Sequence, residues 1–354
     1  MNDRVTSSRF RPAACHGSEK RTGGQTETDK QGKKTDMEIL LLDELAPDAQ
    51  AWLVERHQVS FLPQLAQDRA ELQRSIYKTR ALFVTPGLTV DAQLLDFAPR
   101  LAVVASLHGD TENIDDDACR RRRVRVVRAI NANVRANAEF QLVNLLTMMR
   151  NGAPQPVTPV DGMPLRGREI NDSVIGLLGM TPTAHLLATM LTALGARVIG
   201  YDPALHRTAD LWQRLSVQPV TLPDLLQSAD AVAVQMVFAT RHKGLIGEGA
   251  LAQSRTGQFW SSISAPTLFD LPALADALRT NRLGACVLDL SEPTLIAADS
   301  PLRRVPRLRI TPNMAGATQE ALLRSSWYLA DRTHELLQLP DAQRFALESM
   351  PMPI

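Results

Sequence analysis

With 354 residues, 44% of them hydrophobic and 22% charged, the chain is long enough for two domains and has the composition of a soluble globular protein. Its formal net charge of +1 gives no general attraction to nucleic acid or to an anionic membrane, and no apolar run reaches the ~18 residues that a membrane-spanning helix needs. Cys15, Cys119 and Cys286 are odd in number and lack metal-ligand spacing, so they read as reduced thiols of a cytoplasmic protein, with no metal site expected.

Residues 1–36 are polar, rich in Ser, Thr, Gly and Lys, and nearly free of aliphatic side chains. Such a segment buries too little surface to offset its ordering entropy and contains no apolar stretch of a secretory signal, so a disordered leader is expected. Regular patterning starts at Met37, a possible start of translation. From there strands alternate with helices: strand 38–42, helix 47–56, strand 58–62, helix 68–78, strand 81–84, helix 90–97, and strands 101–106 and 124–128. This rhythm predicts a parallel, doubly wound sheet. The run Arg120–Arg123 with Arg125 and Arg128 follows Asp115, Asp116 and Asp117 and has no interleaved aromatics. It reads as the end of an amphipathic helix leading into a strand, and no nucleic-acid partner is expected.

Residues 136–150 (ANAEFQLVNLLTMMR) form a strong helical pattern, and the Pro- and Gly-containing stretch 151–167 a loop. A second α/β unit begins near Ser173. The apolar run Val174–Leu178 predicts a buried strand, Gly179 a turn, 185–194 a helix closed by Gly195, and 196–201 a strand ending on Asp202. Strand, glycine turn, helix, strand and terminal acid is the layout of a dinucleotide-binding βαβ unit. Its fingerprint is incomplete, because the three glycine positions hold Gly179, Thr181 and Ala184. Thr181 puts a side chain where a pyrophosphate would approach, and its hydroxyl can donate to phosphate. Pro182 suits a helix start but removes one N–H. Asp202 is placed to accept from ribose hydroxyls and to repel a 2′-phosphate, which favours NAD over NADP. An empty βαβ unit kept for folding is the alternative. Further elements are expected at 222–227, 231–236, 248–253, 258–263, 271–279, 285–290, 308–310 and 319–339.

Five ordered stretches resemble the D-isomer-specific 2-hydroxyacid dehydrogenases, the family of phosphoglycerate, glycerate and formate dehydrogenases. They are VIGLLGM with Asp202 downstream, AEFQLVNLLTMMR, DLLQSADAVAVQM, LADALRTNRLGACVLDLSEP and ITPNMAGATQEA. The resemblance implies two doubly wound, parallel-sheet, Rossmann-like α/β domains. A cofactor domain of residues 138–316 is inserted into a split substrate domain of 37–137 plus 317–354. It also implies NAD as cofactor, a small 2-hydroxy or 2-oxo acid as substrate, and a homodimer. Gly179, Thr181, Pro182, Thr183, Asp202, Met236, Ile263, Asp289 and Asn313 are the implied cofactor contacts.

Oxidising a 2-hydroxy acid needs a cation for the carboxylate, a base of near-neutral pKa for the hydroxyl proton, and an acid that orients the base. The resemblance implies Arg, His and Glu in these roles. Glu292 of DLSEP matches the Glu, in a motif two residues shorter than usual, but the Arg position holds Ala265 and the His position Asn313. Ala cannot hold a carboxylate and Asn cannot accept a proton at pH 7. His108, in a loop resembling a substrate-contacting one, is a candidate replacement or an ordinary loop histidine. Arg128 and Arg135, near the implied domain junction, and Arg241, His242 and Lys243 are candidate cations or solvated loop residues. Three readings follow: a 2-hydroxyacid dehydrogenase with an altered catalytic set, a non-catalytic dinucleotide-binding or regulatory protein, and an enzyme that uses the cleft without nicotinamide.

Overall fold

The computed structural model describes residues 38–107, 113–150, 166–237, 240–290, 292–340 and 343–344. The leader 1–36 and His108 lie outside the described residues.

The first sheet is built from β1 (Ile39–Leu41), β2 (Val59–Phe61), β3 (Ala81–Val84), β4 (Val103–Ser106) and β5 (Arg125–Arg128). All are parallel, in the order β2-β1-β3-β4-β5. That order is a doubly wound, flavodoxin-like sheet. Its connections carry α1 (Pro47–Val54), α2 (Arg69–Ser75), α3 (Ala92–Leu95) and α4 (Asp116–Arg121). The last three are short, and each starts on an aspartate that caps an N–H of its first turn: Asp68 for Glu71, Asp91 for Leu94 and Asp115 for Ala118. The expected helix 90–97 is cut to four residues because Val90 is drawn into a bridge with Ile114, its N–H donating to Asn113 O at 2.7 Å.

Strand periodicity sorts the core into two layers. Leu40, Leu82 and Val104 point to one face, and Ile39, Leu41, Phe83 and Val103 to the other. The second face is closed by α11 (Gln319–Gln338), whose Leu329, Ala330, Leu336 and Leu337 pack there. Polar ties fix its position: Ala46 N donates to Ser326 Oγ at 2.9 Å, and Arg80 Nη2 to Leu337 O at 2.8 Å. The last helix thus completes a domain that began near the start of the described chain.

Between these parts lies α5 (Val134–Met149), followed by a second parallel sheet. Its strands are β6 (Val174–Leu178), β7 (Arg197–Tyr201), β8 (Gln218–Pro219), β9 (Ala231–Val234), β10 (Gln258–Ser262), β11 (Leu283–Asp289) and β12 (Leu308–Thr311). The order is β12-β11-β10-β9-β6-β7-β8. Helices α6 (Pro182–Ala193), α7 (Asp210–Arg214), α8 (Leu222–Ser228), α9 (Glu248–Gln253) and α10 (Leu271–Arg279) connect them. The chain reverses its direction of strand addition at β6, between β7 and β9, and opens a crevice at the C-terminal strand ends. The helix expected from His185 starts three residues earlier, on Pro182. α7 and β8 carry too weak a period to be expected. Buried Trp212 fixes them, donating Nε1–H to His206 O at 2.9 Å.

Three arginines of the run are paired within their own domain. Arg120 meets Asp117 at 2.6 Å, Arg128 meets Asp116 at 3.0 Å, and Arg122 pairs with Asp96. No described helix is long and apolar enough to cross a membrane.

Candidate active site

Loops leaving β6, β7, β9, β10, β11 and β12 meet along one sheet edge, and the described cofactor candidates with Ala265 and Glu292 lie on them or at the strand and helix ends that border them. At the β6 end the chain turns on Gly179, which has φ +93° and donates its N–H to Tyr201 O at 2.8 Å. A Cβ there would stand 2.8 Å from Met236 Cα and 2.9 Å from Gln235 O, so both backbone angle and crowding demand glycine.

Thr181 is the N-cap of α6, but its side chain makes no capping bond, so its hydroxyl is uncommitted among the described residues. Pro182 follows with no N–H, and Thr183 and Ala184 are buried with unspent first-turn N–H groups. The positive end of this helix faces the turn. Across it, Asp202 accepts from Met180 N at 2.7 Å through Oδ2 and from Ala204 N at 2.8 Å through Oδ1. A carboxylate has about four acceptor sites, so each oxygen keeps one for a ribose hydroxyl. His185 Nε2 bonds Met180 O at 3.1 Å, and burial holds its pKa below the ordinary histidine value. A close-approach glycine, a free hydroxyl, open helix amides and a half-buried acid fit a dinucleotide.

Two residues that the sequence did not single out support this turn. Gln235 Nε2 donates to Gly179 O at 2.8 Å, and Gln141 Nε2 donates to Gln235 Oε1 at 2.9 Å and to Val234 O at 3.2 Å. Both glutamines are buried, and together they tie α5 to the turn. The available signal was an amide inside each of two apolar runs, AEFQLV and AVAVQM.

The other end of the edge is differently furnished. Met236 is buried after β9, and Ile263, half-buried after β10, donates its N–H to Val234 O at 3.0 Å. Ala265 lies two residues further, at the start of a single turn Pro266–Leu268. Glu292, after β11, is exposed and precedes the turn Pro293–Ile296. Asp289 is buried, and its carboxylate accepts from Thr311 Oγ1 at 2.5 Å, Met314 N at 2.7 Å and Ala315 N at 2.7 Å. These bonds clamp the loop that leaves β12 and present Asn313 to solvent in the left-handed region, φ +54°. Asparagine tolerates that conformation better than most residues. Gly316 sits against α5 and its approach, where a Cβ would lie 3.0 Å from Asn133 Nδ2.

The remaining candidates separate. Arg128 is spent on Asp116, and Arg135 reaches Glu139 at 3.5 Å. Arg241 and Lys243 are exposed on the loop after β9, and His242 is buried between them. No group of acids, histidines and cysteines among the described residues could hold a metal. Burial raises Cys119 to about 11, with help from Asp116 and Asp115, and raises Cys286 as well, so both thiols are poor nucleophiles.

Residues 142–315 match the family model described as the D-isomer specific 2-hydroxyacid dehydrogenase, NAD binding domain. The chain is 33% identical over 307 residues to the (S)-sulfolactate dehydrogenase of Chromohalobacter salexigens, covering 85% of this chain and 99% of that protein. It is 32% identical over 315 residues to the D-3-phosphoglycerate dehydrogenase of Mycobacterium leprae, covering 86% of this chain and 58% of that longer protein. Among solved structures, D-lactate dehydrogenase of Escherichia coli superposes with a TM-score of 0.69 at 18% identity, over 85% of this chain and 96% of that one. The NAD-dependent formate dehydrogenase of Staphylococcus aureus, solved in complex with NAD, gives 0.67 at 20% identity over 85% and 95%. At these identities the two structures speak for the fold alone.

Proposed function

Because the chain belongs to the D-isomer-specific 2-hydroxyacid dehydrogenase family, we propose that it is an NAD-dependent oxidoreductase acting on a small 2-hydroxy or 2-oxo acid through an altered catalytic set. The cofactor is NAD, which when bound accepts or returns a hydride. Gly179, Thr181 and the first turn of α6 would hold its phosphates, and Asp202 its ribose. Residues 138–316 form the cofactor unit in this reading, and 37–137 with 317–354 the substrate unit. The protein works as a cytoplasmic homodimer.

One observation carries the altered set: the Asp289 clamp holds the β12 loop in place, yet the side chain it presents is Asn313. An amide hydrogen-bonds a substrate oxygen but does not take its proton. A general base contributes about 10²–10⁴ in rate. Turnover is therefore slow with acids that rely on a histidine at this position. Glu292 is an exposed acidic side chain at the catalytic end, where it can polarise a bound water or hold a substrate hydroxyl. The two sequence relatives are named for 2-hydroxy acids that carry a second acidic group, which sets the first compounds to test.

The test is NADH oxidation across a panel of 2-oxo acids, with NADH binding followed by titration in the same preparations. Slow but measurable turnover, raised by Ala265→Arg combined with Asn313→His, is the expected result. Turnover at ordinary efficiency in the natural chain would show that Asn313 and Ala265 are not defects. The loss of both groups also supports a second reading, a non-catalytic dinucleotide-binding protein, for which NADH binds, nothing turns over and the double change restores nothing.

A further inference from the structure

The loop leaving β9 carries three basic side chains in a row, Arg241, His242 and Lys243, and residues 240–247 contain no acid. Its neighbour, residues 263–269 after β10, contains no charged residue at all. The two loops are laced together: Gly244 N donates to Thr267 O at 2.9 Å, Ile246 N to Leu268 O at 3.0 Å, and Asp270 N to Ile246 O at 3.0 Å. His242 and Ala265 each lie two residues before the first of these bonds. The basic triplet therefore sits on the loop laced to the one in which the expected guanidinium is missing.

Within the triplet, Arg241 is not a loose surface cation. Its Nε donates to Nε2 of His242 at 3.1 Å, and His242 is only 8% exposed. Nε2 must be unprotonated to accept, which assigns the ring proton to Nδ1. Nδ1 is itself buried without a partner among the described residues. The imidazole is thus spent on fixing Arg241, while both terminal nitrogens of Arg241 have no acidic or carbonyl partner among the described residues. By contrast, Arg168 and Arg255 of the same domain share Asp230. A guanidinium with its inner nitrogen anchored and its outer fork unpaired is preorganised for a carboxylate, which that fork binds through two parallel bonds.

We propose that Arg241, steered by His242, holds the carboxylate of the substrate in place of the cation absent at Ala265. The proposal rests on the 2-oxo acid reading above. Arg241 is the binding residue and His242 a positioning residue that acts through it.

Isothermal titration of the NADH-loaded full chain with oxalate, a planar mimic of a 2-oxo acid, tests it. The natural chain binds oxalate, and Arg241→Ala weakens that binding about tenfold or more, with Arg241→Lys intermediate because a point charge keeps attraction but loses the fork. NADH affinity stays within about twofold in each variant, since Arg241 serves the acid and not the helix α6 turn. His242→Ala weakens oxalate binding less than Arg241→Ala, and His242→Gln, whose amide oxygen can accept from Nε, restores most of it. A merely structural role for His242 would show no such rescue. Oxalate binding by Arg241→Ala at the strength of the natural chain overturns the proposal and leaves the acid reading standing. Failure of the natural NADH complex to bind oxalate overturns both.

Discussion

The two ends of one sheet edge have fared differently. At the β6–β7 end, Thr181 and Ala184 occupy glycine positions of the fingerprint, yet the turn keeps the backbone geometry a dinucleotide needs: Gly179 at φ +93°, Gln235 under its carbonyl, and Asp202 across it. At the β10–β12 end the scaffold is equally well built, with Asp289 satisfied three times over, but Ala265 and Asn313 carry none of the expected chemistry. Framework and reactive groups are therefore separable. A backbone turn is secured by many bonds and survives side-chain change, whereas a proton acceptor is one atom on one residue.

Substitutions can break or sharpen that contrast. The largest effect is expected for Asp289→Ala, which leaves the Thr311 hydroxyl and the N–H groups of Met314 and Ala315 without their acceptor. At about 1–3 kcal/mol for each orphaned group, the urea midpoint should fall sharply, while NADH binding by the refolded protein changes less. An unmoved midpoint would mean that the β12 loop is held by something else.

Next in size is Gly179→Ala, which forces a Cβ into Met236 Cα and Gln235 O at positive φ. Strain of about 1–3 kcal/mol is expected, together with a loss of NADH affinity visible by fluorescence titration. Equal loss at the catalytic end, read as oxalate affinity at saturating NADH, would show that the two ends are not independent.

Asp202→Asn comes third. It keeps an acceptor but removes the charge, so NADH binding should weaken by about tenfold, the loss of one charge-assisted bond, while NADPH binding weakens less or improves. Parallel titrations with the two cofactors decide it.

The smallest effect is a pH dependence set in the other domain. Burial pushes the Glu38 carboxyl up, but bonds from His57 at 3.0 Å and Arg80 at 2.6 Å more than offset this and hold it below the usual carboxylate range. A folded pKa below the unfolded one stabilises above the unfolded value, and that contribution is lost as pH falls through the folded value. The natural protein should therefore lose stability more steeply below about pH 4.5 than Glu38→Gln, by roughly 1 kcal/mol, with NADH affinity at neutral pH the same in both. Parallel acid-unfolding curves would remove Glu38 from this account.

Much of the fold was legible because periodicity is local. Val174–Leu178, Ala81–Val84, Glu248–Gln253 and Leu271–Arg279 fall where their patterns put them, and the parallel pairing in both sheets follows from alternation with helices. Val90 was misread because its partner, Ile114, is remote in sequence. The short α7 and β8 depend on one buried indole, Trp212, and not on a repeat of their own. Within the site, the glycine turn and its acid could be found from spacing. The contacts of Gln141, Gln235 and the Arg241–His242 pair could not be read from spacing, although Arg241 and His242 were candidates by residue type.

By itself, the sequence determined the strand and helix alternation, the split of the chain into two α/β units, and the residue types available at each loop: a glycine at 179, an acid at 202, no arginine at 265 and no histidine at 313. Those are properties of one residue or of a short period. Only the tertiary structure decided that Asp289 serves the β12 loop, that two glutamines brace the turn, and that a buried histidine tethers Arg241. The first two are contacts between segments distant along the chain, whose partners become neighbours only when parallel strands place their C-terminal ends side by side, and the third depends on the burial of His242.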